Sequence, residues 1–140
     1  MAREISAPNI LEGVVTEIGR SGNVANIAVD VGNGNYFHSY INRDAFGRLD
    51  LKRDDHVKVI FPSTNVVLTP AEPKYTFSSP NILHGRVEEV RENIVTLNIG
   101  NNKIVANLAP LKADWKKGDE VRAIVKPDDV ILAREYLEHR

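Results

Sequence analysis

Four histidines, scattered serines and one tryptophan among lysines are the side chains best able to do chemistry in this chain, and their spacing argues against most of it. His38, His56, His84 and His139 fall on separate predicted elements and match no zinc-ligand spacing. The absence of cysteine removes thiolate ligands and disulfides. Serine, histidine and aspartate are all present, yet no Gly-x-Ser-x-Gly elbow presents a nucleophile and no glycine-rich loop opens a helix to cradle phosphate. Gly32-Asn33-Gly34 reads as a hairpin turn, not a nucleotide fingerprint. Trp115, flanked by Lys112, Lys116 and Lys117, is a candidate base-stacking platform, but the same residues suit the covered end of a barrel rimmed by solvated lysines. No active site assembles from these residues, and the chain reads as non-enzymatic.

The totals narrow the classes further. Net charge is −1 with a pI near 6.4, so no overall basic field attracts nucleic acid or an acidic membrane. Apolar content of 42% and charged content of 26% are those of a globular chain. The start, Met1-Ala2-Arg3-Glu4, lacks an apolar signal region, and no run approaches a membrane span, so a cytoplasmic protein without membrane insertion is expected.

The elements that would position any site come in two copies. Ser6-Ala7-Pro8-Asn9-Ile10-Leu11-Glu12-Gly13-Val14-Val15 returns as Ser78-Ser79-Pro80-Asn81-Ile82-Leu83-His84-Gly85-Arg86-Val87, with seven of ten positions identical and an offset of 72. Asp55 to Ile60 with Val66-Val67-Leu68 matches Asp119 to Ile124 with Val130-Ile131-Leu132 at an offset of 64, so the second copy is eight residues shorter. The expected division is a first barrel over 5–69, a linker over 70–75 that holds Pro70 and Pro73, a second barrel over 76–134 and a tail over 135–140.

Within the first copy, Gly13 to Ile18 predicts a strand and Gly19 to Asn23 a turn. Val24 to Val31 predicts a second strand, with Ala25, Ile27, Val29 and Val31 on one face. Asn33-Gly34 predicts a tight hairpin into a third strand over Tyr36 to Ile41. Asn42 caps a short helix through Phe46 that Gly47 allows to end. His56 to Phe61 and Val66 to Leu68 complete five strands, and the second copy repeats the order with trimmed turns and a shorter segment around Ala109 to Lys112. The fold class is all-β: two tandem OB-like five-stranded antiparallel barrels, each with a short helix.

Ser-x-x-Asn-Ile-Leu-x-Gly-x-Val, a Val-Ala-x-Ile strand and a closing Asn65-Val66-Val67-Leu68 or Asp129-Val130-Ile131-Leu132 resemble the molbindin (Mop) family and the TOBE domains of importer ATPases. The resemblance covers nearly the whole chain. It implies OB-like barrels that assemble as oligomers and bind molybdate or tungstate between domains. The family's arginine is replaced by Pro8 and Pro80, and its closing lysine by Pro62 in the first copy, but Lys126 keeps that lysine in the second. The family's Val-Asn-Ala loop resembles Asn23-Val24-Ala25 and is trimmed away in the second copy.

The ligand set that the resemblance implies is therefore a composite. Ser6, Ser78 and Ser79 would offer hydroxyls, Asn23, Val24 and Ala25 backbone N–H groups, and Lys126 the cation for a tetrahedral dianion. Prolines at 8, 62, 80 and 127 each remove a backbone donor, and Asp128 would repel the anion unless turned away. Two further readings stand beside this one: a TOBE-type regulatory or assembly module of an ABC importer or transcriptional regulator without an anion site, and an OB-type nucleic-acid binder, which low aromatic content disfavours. The partner expected is a further copy of the chain, as dimer or trimer, since barrels of this size bury little core alone, with an ABC transporter or a regulator as a second partner in the module reading.

Overall fold

Two five-stranded antiparallel sheets form the computed structural model, which describes residues 8–100, 102–108 and 114–135. The elements are β1 (Pro8–Ser21), β2 (Val24–Gly32), β3 (Asn35–Asn42), α1 (Arg43–Leu49), β4 (His56–Pro62), β5 (Val67–Pro70), β6 (Ile82–Arg91), β7 (Ile94–Asn98), β8 (Lys103–Asn107), β9 (Glu120–Ile124) and β10 (Ile131–Ala133). Short 3-10 turns at Ser63–Asn65 and Pro127–Asp129 precede β5 and β10. The chain is all-β with two OB-like barrels, as the repeat predicts. The segment expected to carry the second helix, Ala109 to Lys112, lies outside the described residues.

The strand order holds a feature the repeat does not specify. One sheet runs β10-β4-β1-β2-β3 and the other β5-β9-β6-β7-β8, so each copy's closing strand pairs in the other copy's sheet. Ile131 sits opposite Ile60, and Val67 opposite Ile124. One continuous apolar core results, joining Val15, Ile27, Val29, Phe37 and Phe61 to Val87, Val95, Leu97, Ile104 and Val125.

Local details repeat with the sequence. β1 bulges between Val15 and Glu17, and β6 between Val87 and Glu89. The Asp55 carboxylate accepts from Lys52 N–H at 2.8 Å, and that of Asp119 from Lys116 N–H at 2.9 Å. Asn33 and Gly34 have φ of 55° and 77°, the left-handed pair that a two-residue hairpin requires. The inward face of β2, Ala25, Ile27, Val29 and Val31, is buried as its alternation predicts.

Four boundaries differ most from the sequence reading. β1 already begins at Pro8, five residues before the predicted Gly13, because Pro8 to Val14 pair with Pro62 to His56. The turn after β1 contracts to Gly22-Asn23, because the strand continues to Ser21 in register with Val24. Asn42 does cap α1, accepting from Ala45 N–H at 2.8 Å, but the helix passes Gly47 and ends at Asp50, whose left-handed backbone returns its N–H to the Phe46 carbonyl at 3.0 Å. Packing of Phe46 and Leu49 against the core outweighs the glycine's helix cost of about 1 kcal/mol. Finally, β5 extends to Pro70, tolerated on the edge of its sheet where no ladder donor is needed.

Candidate functional site

The repeated asparagine joins the halves. Asn9 donates its side-chain N–H to the Val105 carbonyl at 2.9 Å and accepts the Val105 N–H at 2.8 Å. Asn81 does the same for His38, at 2.9 and 2.6 Å. β3 and β8 are the outer strands of their sheets, so each carboxamide satisfies an edge that its own sheet leaves open. Asn35 donates to the Ile99 carbonyl and Asn102 to that of Val31, both at 2.9 Å, which ties the hairpin turns of the two halves together.

Of the candidate donors, Ser79 lies at the Asn81 junction, between Asn81 and Val125. Ser78 is exposed, Ser79 half-buried and Lys126 exposed. Ser79 Oγ accepts the Asn81 N–H at 3.2 Å and donates to the Val125 carbonyl at 3.0 Å, so its proton is already engaged beside Lys126. After Lys126, the turn Pro127–Asp129 packs on β3, and Ser39 Oγ donates to the Val130 carbonyl at 2.9 Å. Asp128 is exposed and Asp129 half-buried on that turn.

The first-half donors sit across β3 from this group. Val24 pairs with Asn42 and Ala25 with Ile41. Both are strand residues flanked by β1 and β3, not loop residues, and only Asn23 occupies the turn. No side-chain hydrogen bond among the described residues joins Asn23, Val24 or Ala25 to Ser78, Ser79 or Lys126. Ser6 lies outside the described residues. Sequence reasoning missed the asparagine clamps and Ser39; the signal available was the asparagine kept in both copies of the motif.

His38 is half-buried, His56 and His84 are exposed, and His139 lies outside the described residues. Trp115 packs against the core. Among the described residues no cluster of His, Asp or Glu could hold a metal ion, and no helix is long and apolar enough to cross a membrane. Resolved pKa shifts fall on one surface pair away from the site. The Lys103 ammonium holds the Glu88 carboxyl below its ordinary value by hydrogen bonding, and Glu88 raises Lys103 in return.

The TOBE domain family matches residues 5–68 and 78–132, one match to each half. The chain belongs to the TOBE-domain family. That family is a binding rather than a catalytic one, and the chain is not an enzyme. No curated protein matches the sequence. Among solved structures, the cytoplasmic molybdate-binding protein ModG, in a form with molybdate bound, is similar with a TM-score of 0.79 at 23% identity, over 95% of this chain and 100% of that one. At that identity the likeness is one of fold, and it extends through both TOBE halves.

Proposed function

We propose that this tandem TOBE protein binds a tetrahedral oxyanion, molybdate or tungstate, in the cytoplasm and serves in oxyanion storage, homeostasis or transport regulation. The observation that carries the reading is likeness over the whole length of both halves to a protein whose structure holds molybdate. Lys126 supplies the cation and exposed Ser78 a hydroxyl, at a junction where the two halves meet. Asn23 and Ser6 complete the donor set from the first half of the same or a neighbouring chain.

Assembly with further copies belongs to this proposal. Ile131, Ile60 and Ile10 stand in cross-strand register on the outer face of one sheet, and Val67, Ile124 and Ile82 in the matching row of the other. Ile10, Ile131 and Val67 are 53%, 61% and 59% exposed. Aliphatic rows repeated on both halves favour burial against another copy. One specific observation favours the module reading instead: the engaged Ser79 hydroxyl and the prolines at 8, 62 and 80 leave fewer donors than a dianion ordinarily receives.

Calorimetric titration with molybdate, tungstate and sulfate in parallel separates the readings. Saturable heat with the two larger anions and weaker binding of sulfate supports the proposal. Absence of heat and of a melting shift at millimolar molybdate and tungstate leaves the regulatory module in its place.

A further inference from the structure

The outer face of the first sheet carries a cavity of about 340 Å³. It is lined by Glu17, Ile18, Gly19, Asn26, Ala28, His38 and Arg53. Strand register identifies what the second half puts in the same places. Gly19 lies opposite Asn26 as Arg91 lies opposite Ile94, and Ala28 lies between Glu17 and His38 as Thr96 lies between Glu89 and Val105. In the second half Arg91 pairs with Glu89 at 3.1 Å. In the first, glycine removes that arm, so among the described residues the Glu17 carboxylate has no ion-pair partner and borders open space.

The opposite charge is close by and equally unspent. Arg53 Nε donates to the Thr16 carbonyl at 3.1 Å, which holds the guanidinium at the cavity and leaves its terminal N–H groups without a partner among the described residues. His38 Nδ1 lies 3.4 Å from Asn26 Oδ1, so the Asn26 amide nitrogen and His38 Nε2 are without partners among the described residues. Glu17 and Arg53 line one small cavity, yet no described ion pair joins them. A ligand that bridges them must accept hydrogen bonds from the arginine and the amide and donate one to the carboxylate; with Nδ1–H turned to Asn26, the neutral imidazole offers its Nε2 as a second acceptor for that donor.

That requirement selects within the oxyanions. Sulfate, molybdate and tungstate are fully ionised near neutrality and bring only acceptors, which a carboxylate repels. Phosphate still carries a proton there. Its P–OH donates to a carboxylate while its other oxygens take a guanidinium in bidentate fashion. We propose that this cavity binds a small protonated oxyanion of the hydrogenphosphate type, at a site separate from the Lys126 junction.

The test is calorimetric titration of the full chain near neutral pH with inorganic phosphate and with sulfate. Phosphate is expected to bind at least about tenfold more tightly than sulfate, the value of one hydrogen bond to a charged group. Gly19→Arg installs the second half's arm, and a side chain fits there because an added Cβ would meet only the Asn26 carbonyl, at 4.0 Å. Gly19→Arg and Arg53→Ala should each weaken phosphate by about tenfold or more, and Glu17→Gln, which turns an acceptor into a donor, should narrow the gap to sulfate. Equal affinity for the two anions, no phosphate heat at millimolar concentration, or unchanged binding in Arg53→Ala would overturn the proposal. Should Gly19→Arg fail to fold, exposed Arg53 carries the test alone. A negative result leaves the Lys126 reading standing, because that site is read with molybdate.

Discussion

Asn9 holds both backbone hydrogen-bonding groups of Val105, a residue 96 positions away in the other half, and Asn81 holds those of His38 in the same way. A carboxamide presents one acceptor and one donor at the spacing of a strand residue, so each asparagine acts as a one-residue extension of the neighbouring sheet. Asn81 is wholly buried. Asn81→Ala removes the partner of an N–H and a carbonyl of half-buried His38, and each group left unsatisfied costs about 1–3 kcal/mol. The expected loss by urea unfolding is about 2–4 kcal/mol, with Asn102→Ala, which gives up a single bond, losing less. Equal and negligible losses in both variants would remove the clamp from the account of how the halves stay joined.

The repeated glycine marks a second close approach. A Cβ at Gly13 would overlap the Val29 Cγ1 methyl and come within 3.1 Å of the Asp30 carbonyl oxygen. At Gly85 the nearest atoms are Ile99 Cγ2 at 3.0 Å and the Asn98 carbonyl oxygen at 3.2 Å. Both alanine variants should destabilise, by about 1–3 kcal/mol as for overpacked cores, with Gly13→Ala the worse. Thermal melts of the pair check the order; a stabilised Gly13→Ala protein would contradict it.

How much of this was legible follows from what local pattern encodes. The Asn33-Gly34 hairpin, the Asn42 cap and the buried face of β2 depend on residues adjacent in sequence, and each was readable. The exchange of β5 and β10 was not. Val67-Leu68 and Ile131-Leu132 alternate alike and face equivalent partners, Ile124 and Ile60, so no hydrophobic pattern separates a strand kept at home from one exchanged. The partners of Asn9 and Asn81 were hidden for the same reason, since they exist only once the halves are docked. Among candidate donors, Ser79 was legible as a hydroxyl but not as one already engaged by Val125.

Stability should depend on pH through the exposed pair Glu88–Lys103, 2.8 Å apart. The Glu88 carboxyl is held below its ordinary 4.5, chiefly by the Lys103 hydrogen bond, so its contribution is complete above that value and is lost as pH falls through the lower folded value. Lys103 is raised above 10.5 by Glu88, so its contribution is complete below that value and is lost as pH rises through the higher folded value. The difference in urea midpoint between the parent and Lys103→Gln is therefore expected to be small, largest between these limits, and reduced by salt. A difference that grows in acid would show the sign to be wrong.

Assembly has its own variant. Ile131 stands on the outer face with Ile60 and Ile10 and is 61% exposed, so Ile131→Asp removes little core packing. The parent chain is expected to sediment as a dimer or trimer at micromolar concentration and Ile131→Asp to shift toward monomer with its melting temperature nearly kept. A parent that stays monomeric at high concentration defeats this expectation, and with it any oxyanion pocket shared between chains.

The last prediction tests the oxyanion site through its cation. Lys126 is exposed, at the start of the turn that packs on β3, and makes no side-chain hydrogen bond among the described residues. Its ammonium is free to meet a dianion, and Ser79, its neighbour across Val125, cannot substitute because its proton is engaged. Lys126→Ala should weaken molybdate or tungstate by about 1.5–3 kcal/mol, the range for a hydrogen bond to a charged group, or roughly tenfold to more than a hundredfold in Kd. Lys58→Ala is the matched control: that lysine lies on β4 and is already paired with Glu12 at 3.1 Å, so binding should be unchanged. Equal weakening in both variants would point to a diffuse charge effect, and an unaffected Lys126→Ala would move the anion elsewhere on the protein.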